Sequence, residues 1–335
     1  MNILIVGAGL IGCERIAAVK KISEMTQGKI SLMGVYEPDP ERRALAEKKF
    51  QAPMVDNSDV ALQQRPDWVF ICTPHDVVIP IIQQAFKVDA NVLLEKPLGR
   101  SLKECQKITG NKPHHCKLYV GFNYRFFAGI EAALMDCKEK KFGKLISVNL
   151  TLGHGNSPGM EKSWKLDPIR CGGGCLIDPG VHLLDLILKI SSGSLFLDSA
   201  KSWSGFWNTG IEEESHILLH DASGTIFNAQ VSLNRWKSTF RLEINGVEGY
   251  GIVEGRGRSY GPQSYRTGVR WGWLSGKSQD ESEITVIDKD NGEDSFFKET
   301  LAVLGESTSI VVPCNHTEAE EVMELLEECR KAIAK

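Results

Sequence analysis

The stretch Asn2–Val19, NILIVGAGLIGCERIAAV, decides how the first third of the chain is read. Its opening five residues, NILIV, form a short apolar run of the kind that a strand buried on both faces shows. Gly7, Gly9 and Gly12 follow at G-x-G-x-x-G spacing, and a helical stretch carrying Ile11, Ile16, Ala17 and Val19 comes next. Alone, three glycines are a weak signal, because such spacings arise by chance in glycine-rich chains. Between a strand and a helix the pattern has a mechanism. Gly7 permits a tight turn, Gly9 lets a pyrophosphate approach the backbone, and Gly12 lets helix and strand pack closely. The first helical N–H groups, at Leu10, Ile11 and Gly12, are then offered to the phosphates.

The second half of this fingerprint is an acid at the end of the second strand. Glu37, in GVYEPD, lies 25 residues beyond Gly12 and fits that place. Its carboxylate would accept hydrogen bonds from both ribose hydroxyls of NAD and repel the 2′-phosphate of NADP. Arg42 and Arg43 follow closely and keep NADP as the alternative.

The same alternation continues. Ile30–Tyr36, Asp67–Thr73, Asn91–Glu95 and Lys117–Phe122 read as buried strands, with DPERRALAEKKF, DVVIPIIQQAFK and SLKECQKIT as intervening helices. Strands alternating with helices imply right-handed crossovers and a mostly parallel sheet. After Phe126 the character changes. A helix over about 128–140 and the long strand GKLISVNLTLG lead to a helix over about 178–189. ESHILLH, TIFNAQVSL, STFRLEIN and GYGIVEG then succeed one another, the mark of an antiparallel sheet. A last helix, about 317–334, opens with Thr317 and Glu320 as a capping box. A chain of 335 residues exceeds one ordinary core, so two domains are expected. They are a dinucleotide-binding domain over 1–122 and an α/β domain for substrate binding and oligomerisation over 123–335.

Composition narrows the function classes. A net charge of −4 argues against a nucleic-acid surface. No apolar run of bilayer-spanning length stands out. Nine irregularly spaced cysteines read as free thiols in a reducing cytoplasm rather than as a disulfide framework. Cys171 and Cys175 with His182 offer three zinc ligands, but a C-x3-C pair without a second cysteine pair is weak, and no metal is expected.

Two stretches carry chemistry. LLEKPLG, Leu93–Gly99, places Glu95 and Lys96 just past a buried strand, where ligands of open α/β sheets lie. RCGGGCLIDPGVHLLDL, Arg170–Leu186, opens a helix that is apolar apart from one stripe. Asp178, His182, Asp185 and Lys189 fall at i, i+4, i+7 and i+11, within roughly 60° of one another. Such a stripe should line a cleft or meet a polar neighbour. Taken singly, Lys96 reads as a surface lysine, His182 as a core histidine, and Asp178 before Pro179 as a helix N-cap.

The combination reads differently. GAGLIG, VFICTP (Val69–Pro74), EKPLG, GFNYRF (Gly121–Phe126) and GGGCLIDPGVHLLDL (Gly172–Leu186) occur in one order and spacing. Together they resemble the glucose–fructose oxidoreductase / inositol dehydrogenase (Gfo/Idh/MocA) family, most strongly over residues 1–190. The resemblance implies a Rossmann domain followed by an α/β domain whose open, mostly antiparallel sheet serves oligomer formation, as dimer or tetramer. It implies NAD(P)-dependent hydride transfer at a hydroxyl or carbonyl carbon of a sugar, cyclitol or sugar derivative, nucleotide-linked ones included. Lys96, Asp178 and His182 match the family's catalytic set. His182, with an ordinary pKa of about 6.5, is the expected proton acceptor, Lys96 the stabiliser of alkoxide charge, and Asp178 an orienting group.

Cofactor contacts are expected to extend to Thr73, Pro74, His75, Glu95 and Lys96. One departure stands at His75, where family members commonly have Asn. Substrate contacts are expected from Tyr124, Arg125 and Trp164 besides the catalytic set, while Lys165 and Arg170 are candidates for an anionic substrate group. Two other readings stay open: a non-catalytic dinucleotide-binding regulator, and a glycosidase that uses NAD transiently. GRGRSYGPQSYRTGVRWGW, Gly255–Trp273, reads as a loop serving an oligomer contact or a substrate lid.

Overall fold

The computed structural model describes residues 1–271, 281–286, 293–307 and 309–334; Trp273 and Lys335, which end two of the stretches above, lie outside them. The chain divides into two units, Met1–Asn123 with Ser295–Met323, and Tyr124–Asp294 with Glu324–Lys335. Along the first run lie β1 (Asn2–Val6), α1 (Leu10–Met25), β2 (Ser31–Tyr36), α2 (Pro40–Phe50), β3 (Met54–Val55), α3 (Ser58–Gln63), β4 (Trp68–Ile71), α4 (Val78–Lys87), β5 (Asn91–Glu95), α5 (Leu102–Thr109) and β6 (Leu118–Gly121). The second run contributes α6 (Ala128–Lys138), β7 (Leu145–Gly153), α7 (Pro168–Cys171), α8 (Val181–Ile190), β8 (Leu195–Trp203), β9 (Glu214–Asp221), β10 (Ile226–Ser232), β11 (Thr239–Gly246), β12 (Gly249–Glu254), β13 (Gln263–Val269) and β14 (Glu281–Val286). The chain ends with α9 (Glu293–Leu304), β15 (Cys314–Asn315) and α10 (His316–Ile333).

The first sheet has the order β15-β6-β5-β4-β1-β2-β3. Its strands are parallel except β15, which runs antiparallel to β6 through Cys314↔Val120 and Asn315↔Tyr119. Ile3, Leu4, Ile5 and Val6 are at most 2% exposed, which explains why β1 reads as continuously apolar. Ile16, Val19 and Ile22 of α1 pack into the same core with Val35, Phe70, Leu93 and, from the returning segment, Val303 and Leu304. This return of Ser295–Met323 is absent from a division at residue 122. Pro80 sits at the third position of α4, where the backbone N–H has no intrahelical partner to lose.

The start of α10 corrects the expected cap. Asn315, not Thr317, is the capping residue: its Oδ1 accepts from Thr317 N and Glu318 N, at 2.9 and 3.1 Å. Glu318 accepts in return from Asn315 N at 3.3 Å. Glu320 instead takes the Thr109 hydroxyl at 2.6 Å. The box is there, two residues earlier than its Thr-x-x-Glu signature indicates.

The second sheet runs β14-β13-β12-β11-β7-β10-β9-β8, antiparallel except for the β7–β10 pair. Helices α6 and α8 pack on one face. The stretch Gly255–Trp273, expected to be a loop, contains β13, paired with β12 and β14. Its inward residues are Gln263, Tyr265 and Thr267, at 2, 3 and 6% exposure. They are polar or amphipathic, so alternation of apolar residues does not reveal the strand. Gln263 Oε1 accepts from Gly129 N, and the Tyr265 hydroxyl donates to Asp136 at 2.5 Å.

Pro168–Ile190 is helical enough, long enough and apolar enough to cross a bilayer by composition, contrary to the expectation above; 83% of its most apolar window is buried inside the protein. That burial is the signature of a core helix.

Candidate functional site

In the first unit the glycine turn joins β1 to α1. Gly7 has φ +97°, and a Cβ there would lie 2.6 Å from the Cys72 carbonyl oxygen. A Cβ on Gly12 would lie 2.0 Å from the Gly7 oxygen, so helix and turn meet backbone to backbone. Gly9 differs, because a Cβ there would meet nothing within 4 Å. The open space at Gly9 faces outward from the turn, and no side chain caps the helix that begins at the exposed Leu10 and half-buried Ile11. Glu37 is 5% exposed, held by Ala8 N at 2.7 Å and Asp39 N at 3.0 Å. After β4, the buried Thr73 Oγ1 has no hydrogen-bond partner among the described residues; Pro74 is half-buried and His75 buried. These features fit NAD: an uncapped helix start for phosphates, an acid for ribose hydroxyls and an orphan hydroxyl in the adjoining segment. Arg43, one of the two candidates for a 2′-phosphate with Arg42, is directed instead to the Val55 oxygen and Asp56, at 2.8 and 2.7 Å.

At the end of β5, Lys96 is half-buried, and Glu95 before it is turned to Arg15. Arg15 is fully buried on α1 and donates Nε to Glu95 Oε1 at 2.8 Å. Its guanidinium also pairs with Glu299 of α9, reaches the Thr300 hydroxyl at 3.2 Å and lies over the Phe296 ring. Gly121 makes room, since a Cβ there would stand 2.8 Å from Glu95 Oε2 and 3.0 Å from Arg15. Glu95, expected to touch cofactor, therefore serves as a partner of a buried arginine, and the residue before Lys96 is anchored to two helices.

In the second unit the chain enters α8 through a π-helical turn, Leu176–Gly180. Asp178 lies inside that turn, so it is not the N-cap that its position before Pro179 indicates. Its carboxylate pairs with Lys165 at 3.2 Å. This carboxylate holds the Lys165 ammonium above its ordinary pKa, against the effect of burial. One turn on, the His182 ring stacks on Tyr124, with centroids 3.9 Å apart and planes 12° apart. Burial pushes the Tyr124 phenol well above its usual range. Asp185 is completely buried and pairs with Arg125, whose Nε lies 2.9 Å from Oδ2. Arg125 was expected to contact substrate; 1% exposed and gripped by Asp185, it anchors the segment that carries Tyr124. The polar stripe thus meets polar neighbours, Lys165, Tyr124 and Arg125, each opposite its own member. Trp164 is half-buried in the turn that presents Lys165, and Arg170 is exposed.

The three glycines before the π-turn are needed for packing within the chain. Gly172 ends α7 with φ +91°, Gly173 faces Arg330, and a Cβ on Gly174 would lie 2.0 Å from the Glu212 oxygen. Glu212 also accepts from Gly174 N at 2.9 Å. The Cys175 thiol is buried against the Ser215 hydroxyl at 3.2 Å, and burial pushes it well above the ordinary thiol range, a poor setting for a metal-binding thiolate. Arg256 and Tyr260 were not singled out from the sequence. Arg256 lies over the Tyr260 ring at 3.8 Å and 5.0 Å from the Tyr124 centroid. Their signal is the repeated glycine of GRGRSYG, which has no meaning until the loop is folded.

Two family models match the chain. That described as "Oxidoreductase family, NAD-binding Rossmann fold" matches residues 1–122, and the "GFO/IDH/MocA C-terminal domain" matches residues 136–251. An uncharacterized oxidoreductase, YrbE of Bacillus subtilis (strain 168), is 24% identical over 253 residues, covering 73% of this chain and 71% of that protein. The dTDP-3,4-didehydro-2,6-dideoxy-alpha-D-glucose 3-reductase of Saccharopolyspora spinosa is 22% identical over 240 residues, 70% of each. A levoglucosan dehydrogenase in complex with NADH and levoglucosan shares the fold, with a TM-score of 0.80 at 17% identity over 100% of this chain and 97% of that one. With both of its halves matched by the same family and an NAD-binding turn of the required form, the chain belongs to the Gfo/Idh/MocA family of NAD-binding oxidoreductases.

Proposed function

We propose that this protein oxidises a secondary alcohol of a sugar, cyclitol or sugar derivative with NAD, or reduces the corresponding ketone. The observation that carries the reading is the placement of His182 against Tyr124, one turn beyond the Asp178–Lys165 pair, in a chain of an NAD-binding oxidoreductase family. The names of the Saccharopolyspora reductase and the levoglucosan dehydrogenase support a carbohydrate-like substrate. Gly7, Gly9, Gly12 and Glu37 would hold NAD, which when bound supplies the hydride acceptor of the reaction. Lys96 donates a hydrogen bond to the reacting oxygen and stabilises the alkoxide charge that develops there. His182 takes the hydroxyl proton on an imidazole nitrogen. The Tyr124 stack fixes the plane of its ring. Asp178, tied to Lys165, orients the substrate hydroxyl.

In an assay of NADH formation from NAD and a panel of sugars and polyols, Lys96→Ala and His182→Ala should each lower kcat by about 10²–10⁴-fold. NADH affinity should change by no more than a few fold. Tight NADH binding without net turnover on any member of the panel would contradict the reading.

The second unit is also the proposed oligomer surface. On the sheet face away from α6 and α8, Phe196, His220 and Ile226 stand in one cross-strand row, with Phe196 and Ile226 each 49% exposed. Leu218 is exposed beside them. A second copy covering this row makes a dimer or tetramer; a monomer in light scattering at micromolar concentration would refute it. The nine free thiols support a reducing, cytoplasmic setting.

A further inference from the structure

We propose that Arg256 forms an oxyanion-binding subsite at the Tyr124 ring on which His182 stacks, so that the substrate is an acidic sugar derivative bearing a carboxylate or a phosphate. The identity of the reacting alcohol rests on the oxidoreductase reading above; the charge of its neighbour rests on the following geometry.

The loop after β12 is built to hold one arginine. Gly255, Gly257 and Gly261 have φ of +72°, +81° and +79°, conformations that side chains rarely adopt. A Cβ on Gly255 would lie 2.1 Å from the Pro262 oxygen. Gly257 N donates to the Gly261 oxygen at 2.8 Å and closes the loop around the turn Arg258–Tyr260. This closure folds Tyr260 back under Arg256, at 3.8 Å, and sets the guanidinium 5.0 Å from the Tyr124 centroid. Tyr124 is the ring that stacks on His182. Arg256, Tyr260, Tyr124 and His182 therefore form a continuous run of stacked groups, with the Lys165–Asp178 pair at its border.

The charges in this group do not balance. Asp178 answers Lys165, but among the described residues the groups acting on Arg256 are the two phenols, with no carboxylate. Its Nε is buried without a hydrogen-bond partner among the described residues. The buried Arg15 and Arg125 each meet carboxylates. Arg256 is half-buried, and the planar fork of donors on its guanidinium matches carboxylate or phosphate oxygens. One surplus positive charge calls for one anionic group on the ligand. Phenol rings flanking the guanidinium also suit the edge of a sugar, with an apolar face and a polar tip.

The test uses the full chain loaded with NADH and matched ligands: glucose, glucuronate and glucose 6-phosphate, galactose and galacturonate, inositol and an inositol monophosphate. Calorimetric affinities should favour the acidic member of at least one set by about tenfold to hundredfold. The carboxylate and phosphate arms show which oxyanion is preferred. In Arg256→Gln that acid-to-neutral ratio should collapse toward one, and in Arg256→Lys it should fall part of the way, with melting temperature checked for both. Equal affinity within every set, or a ratio unchanged in both variants, would overturn the subsite. NADH formation, followed with NAD in parallel, separates the two readings. Acid-selective binding without turnover supports the subsite and defeats the oxidoreductase reading, whereas turnover without acid preference does the reverse.

Discussion

Arg15 and Arg256 show how the two units treat an arginine packed on aromatic rings, the first buried and the second half-buried. In the dinucleotide-binding unit, Arg15 is wholly enclosed and doubly answered, by Glu95 and Glu299, with Thr300 and Phe296 filling the remaining sides. In the other unit, Arg256 is held by aromatic faces and a glycine loop, with no carboxylate acting on it among the described residues. The first arrangement joins α1, β5 and α9 through opposite charges. The second leaves a guanidinium that meets no carboxylate among the described residues, one aromatic ring away from His182. A satisfied buried charge marks scaffold, and an unsatisfied one marks a place where something binds.

The strongest way to break this comparison is to remove each guanidinium in turn. Arg15→Met strands two enclosed carboxylates and should cost about 3–5 kcal/mol of unfolding free energy in urea titrations. Arg15→Met with Glu299→Gln should recover part of that loss. Arg256→Gln, which strands no carboxylate, should stay within about 1 kcal/mol of the parent. Equal losses at the two sites would erase the distinction between scaffold and ligand arginines.

The same contrast recurs within six residues of the glycine turn. Gly12→Ala drives a Cβ into the Gly7 carbonyl, 2.0 Å away, and should destabilise the first unit by about 1–3 kcal/mol. Gly9→Ala meets no protein atom within 4 Å, so melting temperature should hold while NADH affinity falls about tenfold or more. A Gly9→Ala variant with lowered stability and unaltered NADH binding would show that Gly9 faces protein and not cofactor.

Much of the first unit is legible in its residues because parallel strands covered on both faces are apolar without interruption. NILIV and NVLLE coincide with β1 and β5, and the G-x-G-x-x-G spacing anticipates the contacts of Gly7 and Gly12. The return of α9 and β15 is less visible, since the tie that draws it back is a side-chain pair 284 residues apart. In the second unit, β13 hides because its inward positions are Gln263, Tyr265 and Thr267. The polar stripe of α8 is visible from spacing, but its partners come from three distant segments. A π-turn also moves Asp178 from the expected cap into the helix. Arg125 and Arg256 illustrate the limit most clearly. Both are arginines near tyrosines in the chain, and only the folded positions of Asp185 and the glycine loop separate their roles.

Hydride transfer between NAD and an alcohol carbon, with His182 as proton acceptor, can be followed by incubating the protein with NAD and sugars deuterated at the carbinol carbons, then weighing the NADH by mass spectrometry. NADH should be one mass unit heavier for at least one sugar, in stoichiometric yield with the parent and nearly absent with His182→Ala. NADH that forms without the label, or labelled NADH formed equally fast by His182→Ala, would contradict it.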